Sequence, residues 1–204
     1  MTQRTLLIAT RNPGKYREIT AVLQGLSLAC ISLDDISHLS PGFTVEESAM
    51  TFEGNAIIKA MTYGHLTENL TLADDAGLEV DALDGRPGVH SARYAPGTDA
   101  DRYNALLQEL HDVPEHARGA QFCAVIAIYD PTSTKIRTCE GVYRGVLRRE
   151  PQGQNGFGYD PIFYDPKAGK TAADMTVEEK NTVSHRGRAL QAARTLLKKE
   201  FCNV

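Results

Sequence analysis

Two adjacent carboxylates, Asp74 and Asp75, follow an apolar run in the segment LTLADDAGLEV. Successive side chains of a strand point to opposite faces, so we expect one of the two to face a cavity while the other braces neighbouring backbone N–H groups. A carboxylate at a strand end can bind Mg²⁺ or accept a proton from a water molecule that attacks phosphorus. The alternative is a turn whose aspartates hydrogen-bond to their own backbone, and spacing alone leaves both interpretations open.

A second segment whose residues could bind a ligand is IATRNPGK, where an apolar strand leads into the start of a helix. The free N–H groups and the dipole of a helix N-terminus attract anions. Lys15 lies in the first turn, where the dipole disfavours a cation, and this placement favours a phosphate contact over an ordinary solvated lysine. The spacing does not match the Walker A pattern, so the segment is not typical of a P-loop NTPase.

The segment EGNAIIKA places Asn55 and Lys59 four residues apart, on one face of a helix. A lysine in this position is most often a surface residue that forms a salt bridge. The acidic pair Glu46 and Glu47 lies just upstream, and it is either a source of a metal ligand or a charged helix start. The sequence does not distinguish these two interpretations.

The segment NGFGYDP combines glycines with an aromatic ring. Gly156 and Gly158 allow the backbone to approach a flat ligand, and the ring of Phe157 can stack on a base, which is worth about 1–3 kcal/mol for any base. The alternative is a bulge or loop whose aromatic residues belong to the core. Stacking of this kind would provide affinity without selectivity.

The segment EEKNTVSHRGRAL supplies Lys180, His185 and Arg186, the last two at the predicted start of a long helix. Each of these residues alone is more often a solvated surface residue. Together with the preceding segments, they provide cations and hydrogen-bond donors for a triphosphate and for the carbonyl edge of a base.

The hydrophobic spacing predicts the elements that must position these residues. Strands are predicted at RTLLIAT, at LSLACISL, and at LTLAD, where an acidic turn stops the strand before a second, alternating one. Helices are predicted after Asn12, which caps the first with Pro13 at its first position, around Leu106, and at TFEGNAIIKAMTYGHL, where one face carries Phe52, Ala56, Ala60 and Tyr63. At the C-terminal end, TVEE has capping-box spacing from Thr176 to Glu179, and ALQAARTLLKKEF places on one helix face Leu190, Ala193, Leu197 and Phe201. The segments AQFCAVIAIYD and KIRTCEGVYRGVLRRE predict a long antiparallel pair. This order indicates an α/β fold with a mixed sheet.

Composition narrows the class of protein. The 204 residues include 42% hydrophobic and 24% charged residues, which is typical of a globular protein, and we expect a single domain over 1–204. A formal net charge of −4 argues against long nucleic acid as a partner. The four scattered cysteines predict reduced thiols, and the lack of a signal peptide or an apolar membrane-spanning stretch predicts a cytoplasmic protein.

Five segments, in this order and at these intervals, resemble the inosine triphosphate pyrophosphatase family: ATRNPGK, TFEGNAIIKA, LADDAGLEVDALDGRPGVHSARYA, GFGYDPIF and EEKNTVSHRGRAL. The resemblance extends from about Leu6 to Leu197. It implies an elongated mixed β-sheet with flanking helices that form two lobes around a central cleft, and a homodimer. It also implies a reaction in which ITP, dITP or XTP is hydrolysed to the monophosphate and pyrophosphate with Mg²⁺.

The resemblance also implies roles for individual residues. Asp75 would be the catalytic proton acceptor and a metal ligand, whereas Asp74, Glu46 and Glu47 remain undecided as metal ligands. The family usually has serine after the paired aspartates, so at Ala76 only a backbone contact with substrate can be expected. The implied substrate-binding residues are Thr10, Arg11, Asn12, Pro13, Gly14, Lys15, Lys59, Ala76, Phe157, Gly158, Tyr159, Asp160, Lys180, His185 and Arg186.

The donors near the start of the last helix suggest how the base is selected. A 6-keto purine presents an acceptor oxygen where adenine presents an amino donor, so donors from His185 or Arg186 would accept hypoxanthine and xanthine and reject adenine. The residue that rejects guanine is not evident. Three alternatives stay open: a Maf-like pyrophosphatase for other modified bases, a regulator that binds nucleotide without cleaving it, and, least favoured, a structural or interaction module.

Overall fold

The computed structural model describes residues 3–40 and 42–202. Strands and helices alternate in the first half of the chain, and long strands follow, as the sequence predicts. The strands are β1 (Arg4–Ile8), β2 (Leu28–Ser32), β3 (Leu70–Val80), β4 (Gly119–Asp130), β5 (Lys135–Leu147), β6 (Phe163–Asp165) and β7 (Lys170–Thr171). The helices are α1 (Pro13–Leu23), α2 (Phe52–Thr67), α3 (Asp99–Glu109), α4 (Val177–Val183) and α5 (His185–Phe201).

The strands form one mixed sheet in the order β2-β1-β3-β4-β5-β6-β7. β1 pairs in parallel with β2 and β3, with Leu7 opposite Ile31 and Thr71. β6 pairs antiparallel with β5 and β7. β4 and β5 are neighbours joined by only four residues, and so short a connection requires an antiparallel hairpin. The predicted mixed α/β sheet with flanking helices is confirmed.

The paired aspartates lie inside a strand, and the predicted acidic turn after LTLAD is wrong. β3 continues for 11 residues through Asp74 and Asp75 to Val80. A buried strand normally excludes two charges in a row, because an isolated buried carboxylate is costly. Here both carboxylates have polar partners on the helices next to the strand, described below, and the strand can therefore continue.

Side-chain caps start two of the helices at the predicted positions. Asn12 caps α1, with Pro13 at its first position, and Thr176 forms a capping box with Glu179 at the start of α4. The predicted apolar face of α2 is buried, with Phe52, Ala56, Ala60 and Tyr63 all in the core. In α5 the buried face comprises Leu190, Ala193, Leu197 and Phe201, as predicted.

The chain forms two compact units. The first comprises the described residues within 1–75, 125–140 and 189–204. Its core contains the fully buried side chains of Leu6, Ile8, Ile19, Leu72 and Ile126, contributed by strands β1, β3 and β4 and helix α1.

The second unit comprises residues 76–124 and 141–188, and a charged side chain lies in its interior. The guanidinium of Arg118, only 1% exposed, donates to the carbonyl oxygens of Leu110, Leu147 and Arg148 at 2.7, 2.8 and 3.1 Å. Burial lowers the pKa of Arg118, with a smaller contribution from the charge of Arg149. Arg118 thereby ties the end of α3 to the end of β5, beside a core of aliphatic and aromatic side chains.

Two predictions from composition concern the cysteines and the membrane. Cys30, Cys139 and Cys202 are free thiols in the structure, and the reduced state remains a prediction. Within residues 3–40 and 42–202, no helix combines the length and the apolar character needed to cross a bilayer.

Candidate functional site

Backbone N–H groups at the start of α1 are hydrogen-bonded to the residue that caps the helix. Oδ1 of Asn12 accepts the N–H groups of Gly14 and Lys15 at 2.8 and 3.2 Å, and the carbonyl of Asn12 accepts the N–H of Tyr16 at 3.0 Å. Thr10 Oγ1 accepts the N–H of Asn12 at 3.2 Å. The sequence predicted free N–H groups here for an anion, but these groups are already bonded. Attraction of an anion to this end therefore depends on side chains and on the helix dipole.

Arg11, a predicted phosphate contact, is held by the first unit. Its Nε and Nη2 both donate to the carbonyl oxygen of Phe43 at 3.2 Å, and its Nη1 lies 3.1 Å from Oδ1 of Asp34. Arg11 thus fixes the segment that leads to Glu46 and Glu47.

Lys15 and Asp74 form an ion pair from α1 to β3. The Lys15 Nζ lies 2.9 Å from Oδ2 of Asp74, whose side chain is 2% exposed. Loss of the lysine would leave a buried carboxylate without this cation, which is strongly destabilising. Lys15 therefore has a structural role in the protein without ligand, in addition to any contact with phosphate.

Three residues lie around the second aspartate, and we call Glu47, Asn55, Lys59 and Asp75 together the Asp75 cluster. Asn55 Nδ2 donates to Asp75 Oδ2 at 3.1 Å, and Asn55 itself is fully buried. Lys59 Nζ lies 3.5 Å from Asp75 Oδ1 and 2.6 Å from Glu47 Oε1. The two aspartates of β3 thus contact different helices, as alternation along a strand predicts.

Burial and charge act against each other in the Asp75 cluster. Burial raises the pKa of Asp75 and outweighs the opposing effect of Lys59 and Asn55, while the charges of Glu47 and Asp74 raise it further. Burial would lower the pKa of Lys59, but the nearby charges of Asp75, Asp74 and Glu47 together leave it above its ordinary value. The cluster therefore pairs a firmly protonated lysine with a carboxylate that is more basic than usual.

The carboxylates of Asp75 and Glu47 both contact Lys59, so both lie within reach of one cation. In the described part of the chain, no group of three or more His, Cys, Asp and Glu side chains is arranged to hold a metal ion. Mg²⁺ is commonly bound through one or two carboxylates, with substrate phosphates and water as its other ligands. The Asp75 cluster fits that type of site.

In the second unit, an exposed aromatic ring lies among cations. Phe157 is 55% exposed, and Lys180 Nζ and Arg186 Cζ lie 4.9 and 5.7 Å from the centre of its ring. Lys180 also forms an ion pair with the buried Asp160. We call Phe157, Asp160, Lys180 and Arg186 the Phe157 cluster. An exposed ring with cations beside it can take a flat, electron-rich ligand.

The loop that carries Phe157 is bonded at several points. The N–H of Phe157 donates to Asp160 Oδ2 at 2.9 Å, and the N–H of Gly158 donates to Asp99 Oδ2 at 2.7 Å. Tyr159, a predicted substrate-binding residue, is buried, and its hydroxyl donates to the carbonyl of Ser91 at 2.9 Å. Tyr159 therefore anchors the loop to the interior of the second unit.

Histidine and arginine do open α5, as the segment SHRGRAL predicts. The ring of His185 stacks on Phe122, with centroids 4.9 Å apart and planes 16° apart, and Arg186 is 7% exposed. A Cβ on Gly187 would lie 2.2 Å from the carbonyl oxygen of Asn181, so only glycine allows this close approach of α5 to α4. The two donors are thus held on a tightly packed helix start.

The structure brings the predicted residues into two groups, one in each unit, and adds others. Lys15, Lys59 and Asp75 lie with α1, α2 and β3, whereas Lys180, Arg186 and Phe157 lie in the Phe157 cluster. Ala76 follows Asp75 in β3 and is half-buried. The sequence had not assigned roles to Asn55, Phe122, Ser91 or Asp99. The only signal among them was the shared helix face of Asn55 and Lys59.

Comparisons with known proteins agree with the predicted resemblance. The Ham1 family matches residues 6–196. The chain is 46% identical to the dITP/XTP pyrophosphatase of Desulforamulus reducens, over 96% of each chain. It is 48% identical to the dITP/XTP pyrophosphatase of Geobacter sulfurreducens, over 91% of this chain and 92% of the relative. The solved structure of a HAM1 protein from Coxiella burnetii superposes with a TM-score of 0.89 at 40% identity, covering 96% of this chain and 99% of that one. The chain belongs to the Ham1 family.

Proposed function

We propose that the protein hydrolyses non-standard purine nucleoside triphosphates, ITP, dITP and XTP, to the monophosphate and pyrophosphate. The observation that carries the proposal is Asp75, a buried carboxylate of raised pKa held between Asn55 and Lys59. The high identity to relatives named dITP/XTP pyrophosphatases supports the same activity and substrate class.

Asp75 is the proposed general base. Its raised pKa brings it closer to the basicity needed to take a proton from water at neutral pH, and Asn55 fixes its orientation. Water that gives its proton to Asp75 attacks the α-phosphorus, the bond from this phosphorus to the bridging oxygen breaks, and pyrophosphate leaves. Positioning and charge stabilisation supply most of the acceleration in such transfers.

The cations of the first unit are the proposed phosphate contacts. Lys59 is largely buried and firmly protonated, so it offers a strong charge to a phosphate oxygen. Lys15 would bind phosphate from the start of α1, with the segment Thr10, Arg11, Asn12, Pro13 and Gly14 shaping its surroundings. Both lysines exchange part of their contact with a carboxylate for contact with substrate.

A divalent metal, proposed to be Mg²⁺, would be held by Asp75, with Glu47 the better placed of the two upstream glutamates. Glu46 is exposed, and Asp74 is paired with Lys15. When bound, the metal would neutralise triphosphate charge and position phosphate oxygens.

The Phe157 cluster is the proposed base site. Phe157 offers a stacking surface, Lys180 and Arg186 supply cations beside it, and His185 lies next in the chain to Arg186. Donors directed at a 6-keto oxygen would accept hypoxanthine and xanthine and leave the amino group of adenine facing another donor. Gly158, Tyr159, Asp160 and the backbone at Ala76 complete the proposed substrate contacts.

A homodimer and a cytoplasmic location are part of the same proposal, since the family resemblance implies the first and the thiols of Cys30, Cys139 and Cys202 suit a reducing compartment. Sedimentation equilibrium tests the dimer: twice the chain mass of 22.3 kDa supports it, and the chain mass contradicts it.

Product analysis across a panel of nucleotides tests the function. Purified protein is incubated with ITP, dITP, XTP, ATP, GTP and modified pyrimidine triphosphates, with Mg²⁺ or with a chelator. We expect pyrophosphate release with Mg²⁺ from the first three, at least about a hundredfold faster than from ATP. Preference for modified pyrimidines would support the Maf-like alternative, and tight binding without cleavage would support a nucleotide-binding regulator.

A further inference from the structure

Two backbone N–H groups beside the exposed ring of Phe157 are each bound by a carboxylate. The N–H of Phe157 bonds within its own loop to Asp160, whereas the N–H of Gly158 bonds to Asp99, the first residue of α3. We infer that Asp99 is a positioning residue for base recognition: it fixes the backbone that follows Phe157 and so holds the ring on which the base stacks. This inference rests on the proposed function of the Phe157 cluster.

The loop needs an external support. Gly156 and Gly158 have φ of +79° and +62°, a region where glycine is favoured and where its backbone is least restricted. With 55% of Phe157 exposed, packing restrains its ring only in part. Hydrogen bonds to the adjacent backbone restrict the ring further, in addition to the cations beside it and the anchor at Tyr159. A bond from an N–H group to an ionised carboxylate is stronger than one between neutral groups.

Asp99 is itself held in place. Its Oδ1 accepts from Nη1 of Arg102 at 2.7 Å, and Nη2 of Arg102 donates to the carbonyl of Gly97 at 2.9 Å. The oxygen that binds the loop is therefore presented by a side chain that Arg102 holds at the start of α3. One carboxylate joins α3 to the loop.

The charges of the two carboxylates are balanced locally. Asp160 is paired with Lys180, and Asp99 is paired with Arg102. An effect of Asp99 on the base should therefore act through loop geometry, since a charge already matched by Arg102 contributes little field at the ring. Asp99→Asn, which keeps an acceptor oxygen but removes the charge, separates geometry from charge.

The test compares ligands with and without a base. In Asp99→Ala we expect the KM for ITP and the Kd for inosine monophosphate to rise roughly five- to tenfold, with kcat within about twofold. This is less than the full effect of one lost hydrogen bond to a charged group, because Asp160 still holds the N–H of Phe157. Inorganic tripolyphosphate has no base, so its inhibition constant should be unchanged. Asp99→Asn keeps one acceptor oxygen for the N–H of Gly158 and should restore part of the lost affinity.

Asp101→Ala is the matched control. It removes one negative charge from the same turn of α3, together with the two hydrogen bonds that the Asp101 carboxylate accepts from the N–H and the hydroxyl of Thr98, both at 2.7 Å. We expect this variant to unfold at a lower temperature while its KM for ITP and its affinity for inosine monophosphate stay at wild-type values.

Three outcomes would overturn the inference. Asp99→Ala could bind inosine monophosphate as tightly as wild type, or it could lose affinity for inosine monophosphate and for tripolyphosphate equally. The third outcome is that Asp101→Ala loses as much affinity for inosine monophosphate as Asp99→Ala does. Failure of the proposed function looks different, because the wild-type protein itself would then release no pyrophosphate from ITP, dITP or XTP. The affinity for inosine monophosphate would still decide the role of Asp99 in that case, and a wild type that neither cleaves ITP nor binds the monophosphate would reject both.

Discussion

The side-chain amide of Asn55 donates to Oδ2 of Asp75 at 3.1 Å, and its oxygen accepts the backbone N–H of Ala49 at 2.9 Å. Because Asn55 is fully buried, both bonds are shielded from water. One side chain thus joins the proposed base on β3 to the segment that carries Glu46 and Glu47. The orientation of the base and the position of that segment are linked.

The first prediction follows from this link. Asn55→Ala should lower kcat for ITP by about tenfold to a hundredfold, the range expected for one hydrogen bond to a charged group, with a smaller change in KM. Steady-state pyrophosphate release measures both constants. Asn69→Ala is the control, because the amide of Asn69 donates to the carbonyl of Thr67 instead, and we expect wild-type kcat from it. A wild-type kcat in Asn55→Ala would remove Asn55 from the catalytic arrangement.

The second prediction concerns the two roles of Lys15. Lys15→Ala should lower the affinity for ITP by about tenfold or more, since the lysine is proposed to bind the phosphate chain. The affinity for inosine monophosphate should fall much less. The substitution should also lower the unfolding temperature, because the buried Asp74 loses its cation. Calorimetric titration and thermal unfolding measure the two effects.

A double variant separates the two roles of Lys15. Lys15→Ala combined with Asp74→Asn should recover much of the stability without recovering ITP affinity, because it removes the buried charge but does not replace the cation. Equal losses of ITP and monophosphate affinity in the single variant would exclude Lys15 from the phosphate site.

The third prediction uses the raised pKa of Asp75. A carboxyl whose pKa is higher in the folded than in the unfolded protein favours folding when protonated, and that contribution is lost as pH rises through the folded-state pKa. At neutral pH the ionised carboxylate therefore costs stability. In metal-free buffer, Asp75→Asn should unfold at a higher temperature than wild type at pH 7, and the difference should shrink as the pH falls towards 4.

The same variant should lose catalysis, with kcat lower by about a hundredfold to ten-thousandfold, the usual contribution of a general base. Asp112→Asn, at a side chain that is 99% exposed, should match wild type in both measurements. If Asp75→Asn were less stable than wild type at pH 7, the ionised carboxylate would be a net stabilising group and the assignment of its raised pKa would be wrong.

Much of the fold could be predicted because local patterns determine it. The spacing of apolar residues and the caps at Asn12 and Thr176 placed α1, α4 and their neighbours. The acidic turn within β3 was predicted wrongly for a physical reason. Whether two buried carboxylates can stay inside a strand depends on Lys15, Asn55 and Lys59, which are distant in sequence.

The residue types of the proposed site could be expected from the sequence, but their contacts could not. Lys59, Asp75, Phe157 and Lys180 were all expected near substrate, yet no local pattern indicates that Asp99 supports the loop of Phe157 from a helix 59 positions away. The N–H groups at the start of α1 were expected to be free for an anion. The side chain of Asn12, which predicts the helix start, accepts hydrogen bonds from two of these groups. Pairings between distant segments depend on tertiary packing, which spacing along the chain does not encode.

The most direct test of the central claim is isotope tracing of ITP hydrolysis in ¹⁸O-labelled water with Mg²⁺. If water activated by Asp75 attacks the α-phosphorus, mass spectrometry will find one ¹⁸O atom in inosine monophosphate and none in pyrophosphate, and Asp75→Asn will form little of either product. Label in pyrophosphate or in inorganic phosphate, or equal product from Asp75→Asn, would contradict the account.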